Sequence, residues 1–423
     1  LVGCNFWEIM KVKYLIVGGG VSGISTAAFL GDNEDYLILE KTNSIGGYCK
    51  TIKKDGFTWD YSGHFFHFNN TEIKDFVLKN IDSKLLELKK KTGIIYKDEI
   101  ISFPFQNNID ELPKEEFIEC LYDLFFKEEK IEYDNFLDWL YGSLGKSITD
   151  KFIKPYNEKL YACDLSELDV NAMGRFFPKS DFKTVLENLK NKDFKSYNDN
   201  FIYPVGGAIK YIESIMKYVN NERVLKNTFV KSINSKDKIV KTNAGEIEYE
   251  YLISTIPFNK LLDISGIPYE NEIYSSNKVL VFNLGFDKPS DLDYHWLYIP
   301  SKENNFYRVG FYDNILSEGR MSLYVEVGFN THEEIDIGSE LLKVLKGLKG
   351  VGIMSDHKLI SHETIVMNPA YVHINKESIK DVKMKTELFN ENNIYSIGRY
   401  GEWTYCSIED NIISAKNLIN DIR

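Results

Sequence analysis

Gly18, Gly20 and Gly23 form a G-x-G-x-x-G pattern between the apolar run KVKYLIV and the small-residue run GISTAAFL. That spacing suits a pyrophosphate. The first glycine permits a tight turn, the second lets backbone approach phosphates at a helix N-terminus, and the third lets helix and strand pack closely. Glu40 ends the next apolar run, DYLILE, at the distance where a carboxylate meets the hydroxyls of an adenosine ribose. A second stretch, HWLYIPSKENNFYRVGFYDN at 295–314, sets Arg308 close to Trp296, Tyr298, Phe306 and Tyr307. A guanidinium fork can hold two phosphate oxygens at once. His64 and His67 lie three apart in SGHFFHF, directly after a glycine.

Positioning a dinucleotide calls for a βαβ unit, and residues 10–40 read as one: buried strand, glycine turn, helix, second strand. Beyond it, EKTNSIGGYCKT places Gly46 and Gly47 where a second backbone segment can pass close to an extended cofactor. This double glycine resembles the glutathione-reductase type of FAD site and favours FAD over NAD. Residues 71–200 turn to charged, helix-period segments such as EEFIECLYDLFFKEEK, predicting a helical insertion domain. A meander of short strands follows, broken at SKDK and NAGE and ending in Pro257. Residues 272–384 alternate strand-like runs with one helix, GSELLKVLKGLKG, and read as an antiparallel-sheet substrate domain. The chain then returns to its opening style with the strand NIYSIG and the helix SIEDNIISAKNLI. Ser407 and Asp410 stand at capping-box spacing there, so a helix N-terminus could face the electron-rich pyrimidine edge of a flavin, and Gly398 permits close approach. The expected fold class is α/β: a Rossmann-like FAD-binding domain built from 10–70, 201–271 and 385–423, the helical insertion, and a mixed or antiparallel sheet domain.

Composition narrows the function. The 423 residues carry a net charge of −12, which argues against a nucleic-acid surface and leaves any phosphorylated substrate dependent on local cations. With 27 Tyr and 27 Phe, an aromatic-lined pocket is expected. The five cysteines are scattered and form no C-x-x-C pair, which suits a reducing cytoplasm, and no metal site is expected. No apolar run is long enough to span a membrane. LVGC at the start resembles a lipoprotein box without the basic, apolar leader, so residues 1–9 are read as an extension ahead of Met10.

Four stretches in order carry a family resemblance over nearly all of 10–423: DYSGHFFHF (60–68), FPFQNNIDELPKEE (103–116), WLYIPSKENNFYR (296–308) and GRYGEWTY (398–405). Together they resemble the UDP-galactopyranose mutases, the eukaryotic type more than the short bacterial type. The resemblance implies interconversion of UDP-galactopyranose and UDP-galactofuranose for cell-surface polysaccharide. Reduced FAD is required, its N5 attacking the anomeric carbon while the UDP leaving group is held. It implies that Arg308, ten residues after Tyr298, grips the diphosphate, and that Arg175 in NAMGRFFP lies near the active site. By the same match Arg399 and His64 belong to the flavin pocket; His67 is a second candidate for tuning the reduced flavin, since a polar group near N5 changes which protonation state is favoured. Tyr298, Tyr371 and Tyr405 match phenols that donate to phosphate, with Trp296 in the same WLY segment. Phe105, Gln106 and Asn107 match the uridine side. Phe103 departs from the family, which has tyrosine there, and loses a hydroxyl toward the nucleotide. The implied partners are a UDP-sugar and an external flavin reductant such as NAD(P)H, with a homo-oligomer compatible.

Two other readings share the fold. A flavin amine oxidase or protoporphyrinogen-oxidase-like enzyme would abstract hydride and has no need of arginines and tyrosines around a diphosphate. A binding module of the GDP-dissociation-inhibitor type would lack catalysis, and the intact glycine motifs count against it.

Overall fold

The computed structural model describes residues 9–128, 130–174, 182–190 and 200–423, so Arg175 lies outside the described residues. A seven-stranded sheet organises the first lobe. At its centre Met10–Val17 runs parallel to both Tyr36–Leu39 and Glu246–Ser254. Both central strands end in unbroken buried apolar runs, as parallel strands covered on two faces require. The meander strands Val230–Asn234 and Ile239–Thr242 extend the sheet antiparallel from Glu246–Ser254. Ile394–Ser396 then returns from the far end of the chain and pairs parallel with the end of Glu246–Ser254. The helix Val21–Leu30 packs against the closing helix Ile408–Ile422. It buries Ser22, Gly23, Ser25, Thr26 and Ala27, whose small side chains permit that approach.

A second seven-stranded sheet is mixed, as expected. Asn277–Phe286 pairs antiparallel with Ser322–Asn330 and Leu359–Met367, and Arg308–Phe311 joins Ser322–Asn330 to Trp296–Tyr298. The expectation that 71–200 is helical needs correction. After the helix Thr71–Leu78, its first third holds Leu85–Lys89, Thr92–Tyr96 and Glu99–Ser102 as strands before the remaining helices begin. Thr92–Tyr96 pairs parallel with Trp296–Tyr298, and Glu99–Ser102 completes the sheet edge. These strands are short and interrupted by Lys89, Lys90, Lys91, Lys97 and Asp98, so their apolar alternation is too brief to stand out. The helices Lys114–Phe125, Phe136–Ile148 and Lys154–Tyr161 then enclose a core of their own with Phe105, Phe136, Leu140 and Leu165. Among the described residues no helix is long and apolar enough to cross a membrane.

Candidate functional site

The glycine turn opens onto a cavity of about 1240 Å³ lined by Gly18, Gly20, Glu40, Gly46, Gly47 and Thr228, among others. A Cβ on Gly23 would run into the Gly18 carbonyl oxygen, so the third glycine is what lets helix and strand meet. Gly20 and Gly47 face one another: a Cβ on Gly47 would lie 3.3 Å from the Gly20 Cα. Two backbones without side chains therefore leave a cradle at the N-terminus of Val21–Leu30, the form a pyrophosphate needs. Glu40 is buried, and its Oε2 accepts from Gly19 N at 2.9 Å while Oε1 accepts from Thr42 N at 2.8 Å. The carboxylate thus ties the glycine turn to the end of the second strand. Gly398 has φ +84° and packs where a Cβ would strike the Ser22 hydroxyl, which joins the C-terminal segment to the first helix.

A smaller cavity of about 260 Å³ adjoins the first, and Tyr48, His64, Arg399, Tyr400, Cys406 and Ile408 line both. Its walls bring together His64, His67, Arg308, Tyr371, Arg399, Tyr405 and Ser407 from four separate parts of the chain. Ser407 is the N-cap of Ile408–Ile422, and the capping box with Asp410 is formed. The Arg399 guanidinium lies 5.0 Å from the Tyr371 ring centre and 4.6 Å from that of Tyr405, and its Nε is buried without a hydrogen-bond partner. The two phenol rings are stacked at 6.0 Å. Burial pushes the Tyr371 phenol above its ordinary value, so it stays protonated and able to donate.

Arg308 is held by a partner the sequence reading missed. Its Nε and Nη2 donate to Glu326 Oε2 and Oε1 at 2.6 and 2.7 Å, and Ser62 Oγ donates to the same carboxylate. Glu326 is 1% exposed, whereas the Arg308 side chain keeps 21%. Burial works against the guanidinium charge, but Glu326 and the surrounding Tyr371, Tyr324 and Tyr156 together outweigh it, and the arginine remains protonated. The signal was present in MSLYVEVGF, where one carboxylate in an otherwise apolar strand demands a buried cation.

His64 has a buried Nδ1 with no hydrogen-bond partner. Burial lowers its pKa to about 4 against the pull of Glu326, with Arg399 and Arg308 adding to the depression, so the imidazole is neutral near pH 7. His67 Nδ1 lies 2.9 Å from the Asn200 carbonyl oxygen, which ties it to the strand Asn200–Pro204.

The other expected substrate residues stand apart. Among the described residues, the walls of these two cavities do not include Phe103, Phe105, Gln106, Asn107, Trp296 or Tyr298. Phe105 is fully buried against Phe152 in the helical core, and Gln106 and Asn107 are buried on the same short turn. Phe103 stacks on Tyr298 at 4.8 Å, and the Tyr298 hydroxyl accepts from Trp296 Nε1 at 2.9 Å. Tyr298 nonetheless pairs directly with Arg308 across the sheet. Burial also raises the Tyr298 phenol above its ordinary value.

Comparison with known proteins agrees with this layout. An NAD(P)-binding Rossmann-like domain family matches residues 16–79. Over 50 residues the chain is 40% identical to a 4,4'-diapophytoene desaturase of Staphylococcus aureus strain Newman, covering 12% of this chain and 10% of that protein. The chain therefore spans about a tenth of the length of the curated relatives it matches. Among solved structures, a protein assigned as a protoporphyrinogen oxidase from Exiguobacterium sp. 255-15 superposes with TM-score 0.76 at 18% identity, over 98% of this chain and 99% of that one. A cyclohexylamine oxidase from Brevibacterium oxydans IH-35A gives 0.68 at 13% identity, over 97% and 98%. A reduced UDP-galactopyranose mutase gives TM-score 0.91 at 21% identity, over 97% of this chain and 95% of that one. Over nearly its whole length, the chain has the UDP-galactopyranose mutase-like fold.

Proposed function

We propose that the protein is an FAD-dependent nucleotide-sugar mutase that interconverts the pyranose and furanose forms of a UDP-sugar, UDP-galactose being the expected one. The observation that carries this reading is the convergence of Arg308, Arg399, Tyr371 and Tyr405 on a small cavity continuous with the dinucleotide cradle. A hydride-abstracting oxidase would have no use for that set of cations and phenols. The cradle fits FAD: Gly20 and Gly47 leave room for a pyrophosphate, Glu40 would meet the ribose, and the Ser407-capped helix end would offer its dipole to the flavin. Reduced FAD would supply the nucleophile for the anomeric carbon.

The chain's own residues do the rest. Arg308 and Arg399 attract the diphosphate and hold it as charge grows on the departing UDP, an interaction strongest in the transition state. Tyr371 and Tyr405 donate without adding charge. Neutral His64 places an uncharged ring at the junction of the two cavities, with an unpartnered Nδ1 available to a cofactor or sugar proton. The test is to reduce the purified protein with dithionite, supply UDP-galactofuranose and follow UDP-galactopyranose by chromatography. Turnover is expected from reduced protein and none from oxidised protein. Peroxide release with amines and no sugar conversion would instead make it an oxidase.

A further inference from the structure

Residues 61–70 carry His64 and His67 past the junction of the two cavities without a helix or strand of their own, between Phe57–Asp60 and Thr71–Leu78. At the start of this segment the Tyr312 hydroxyl donates to the Ser62 carbonyl at 3.1 Å. At its end a single side chain takes two backbone donors. Asn69 N donates to Glu409 Oε1 and Oε2 at 2.9 and 3.2 Å, and Asn70 N donates to Oε1 at 2.8 Å. Asn70 in turn caps Thr71–Leu78 by accepting from Ile73 N at 3.1 Å. Glu409 is 3% exposed and stands in the first turn of Ile408–Ile422, where the helix dipole favours a carboxylate. That helix end meets both cavities: Glu409 lines the smaller one and Ile408 lines both.

We propose that Glu409 is a positioning residue that fixes the His64–Asn70 segment beside the flavin and whose negative charge opposes flavin reduction. This rests on the flavoprotein reading above. When dithionite supplies two electrons and solvent one proton, the flavin becomes an anion. That anion and Glu409 then draw on the positive potential of one helix terminus. Removing the carboxylate charge relieves the competition and favours the reduced state.

The experiment compares wild type, Glu409→Gln and Glu409→Ala, each loaded with FAD. At a fixed potential the reduced-to-oxidised ratio should rise about tenfold in both variants, about 30 mV for a two-electron couple. Hydrogen exchange at the Asn69 and Asn70 amides should speed up about tenfold or more in Glu409→Ala. It should change less in Glu409→Gln, whose amide oxygen can keep the bonds that Asn69 N and Asn70 N make to Oε1. Unchanged amide exchange overturns the positioning role, and an unchanged midpoint potential overturns the charge linkage. Should Glu409→Ala fail to fold, Glu409→Gln still decides the charge linkage, and Glu409→Asp, whose shorter side chain draws the carboxylate away from both amides, decides the positioning. The same exchange measurement on cofactor-free protein separates the two readings. If wild type takes up no FAD, the flavoprotein reading fails, while the amides of Glu409→Ala or Glu409→Asp still show whether the carboxylate holds the segment.

Discussion

Arg308 pairs with Glu326 in the fold and lines the cavity of the proposed site, so its two roles can be separated by mutation. Arg308→Ala leaves Glu326 as a buried, unpaired carboxylate, so a stability loss of about 3 kcal/mol is expected in urea unfolding. It should also weaken UDP binding about ten- to a hundredfold, since a charged hydrogen bond contributes roughly 1.5 to 3 kcal/mol. Adding Glu326→Gln should restore much of the stability and none of the UDP affinity measured by calorimetry; recovery of both would assign Arg308 to the fold alone. Asp60 and His64 make a second case. Asp60 is fully buried; its Oδ2 accepts from the Tyr203 hydroxyl at 2.7 Å and its Oδ1 from Ala208 N at 3.0 Å, yet burial still raises its pKa to about 6. A raised carboxyl contributes stability below the unfolded value of 3.8 and loses it as pH climbs toward 6. His64, depressed to about 4, does the reverse: its contribution is present above 6.5 and is lost as pH falls toward 4. The two slopes largely cancel. Asp60→Asn should therefore unmask the histidine, with stability rising by roughly 2–3 kcal/mol between pH 4 and 6.5 in urea titrations. A flat profile in that variant would show that His64 does not titrate in the window. Arg308 and His64 were legible because their neighbours in sequence are distinctive, whereas Glu326 and Asp60 act through partners far along the chain.

At the level of elements, the sequence reveals most where pattern and packing coincide. The glycine turn, the meander and the capped closing helix all follow from local spacing, and the structure forms each of them. Gly23→Ala tests the tightest of these contacts. Its added methyl meets the Gly18 carbonyl, and neither backbone can yield without moving the helix off the sheet. A loss of about 1–3 kcal/mol in thermal or urea unfolding is expected, together with weaker FAD retention on a desalting column. Full stability and cofactor content would mean that the helix can shift freely. Thr92–Tyr96 was illegible for the opposite reason: its partner, Trp296–Tyr298, lies about two hundred residues away, and only the folded sheet shows the pairing. That pairing makes the insertion continuous with the sheet that carries Arg308.

For the molecule as a whole, the cavity of about 1240 Å³ between the glycine turn and the closing helix predicts a yellow protein that releases FAD on denaturation. Excess FAD should raise its melting temperature by mass action, while a folded preparation that neither holds nor takes up FAD would remove the basis for the proposed activity. The return of Ile394–Ser396 to the first sheet has a consequence for biosynthesis. The cradle is made early on the ribosome, but Arg399, Tyr405 and Ser407 emerge only after both sheets have been translated. A chain interrupted before residue 394 would carry the glycine motif without the helix end that completes the site. If the cradle holds FAD as proposed, its capture would wait on completed synthesis, and prematurely terminated chains would lack the helix end that closes the site.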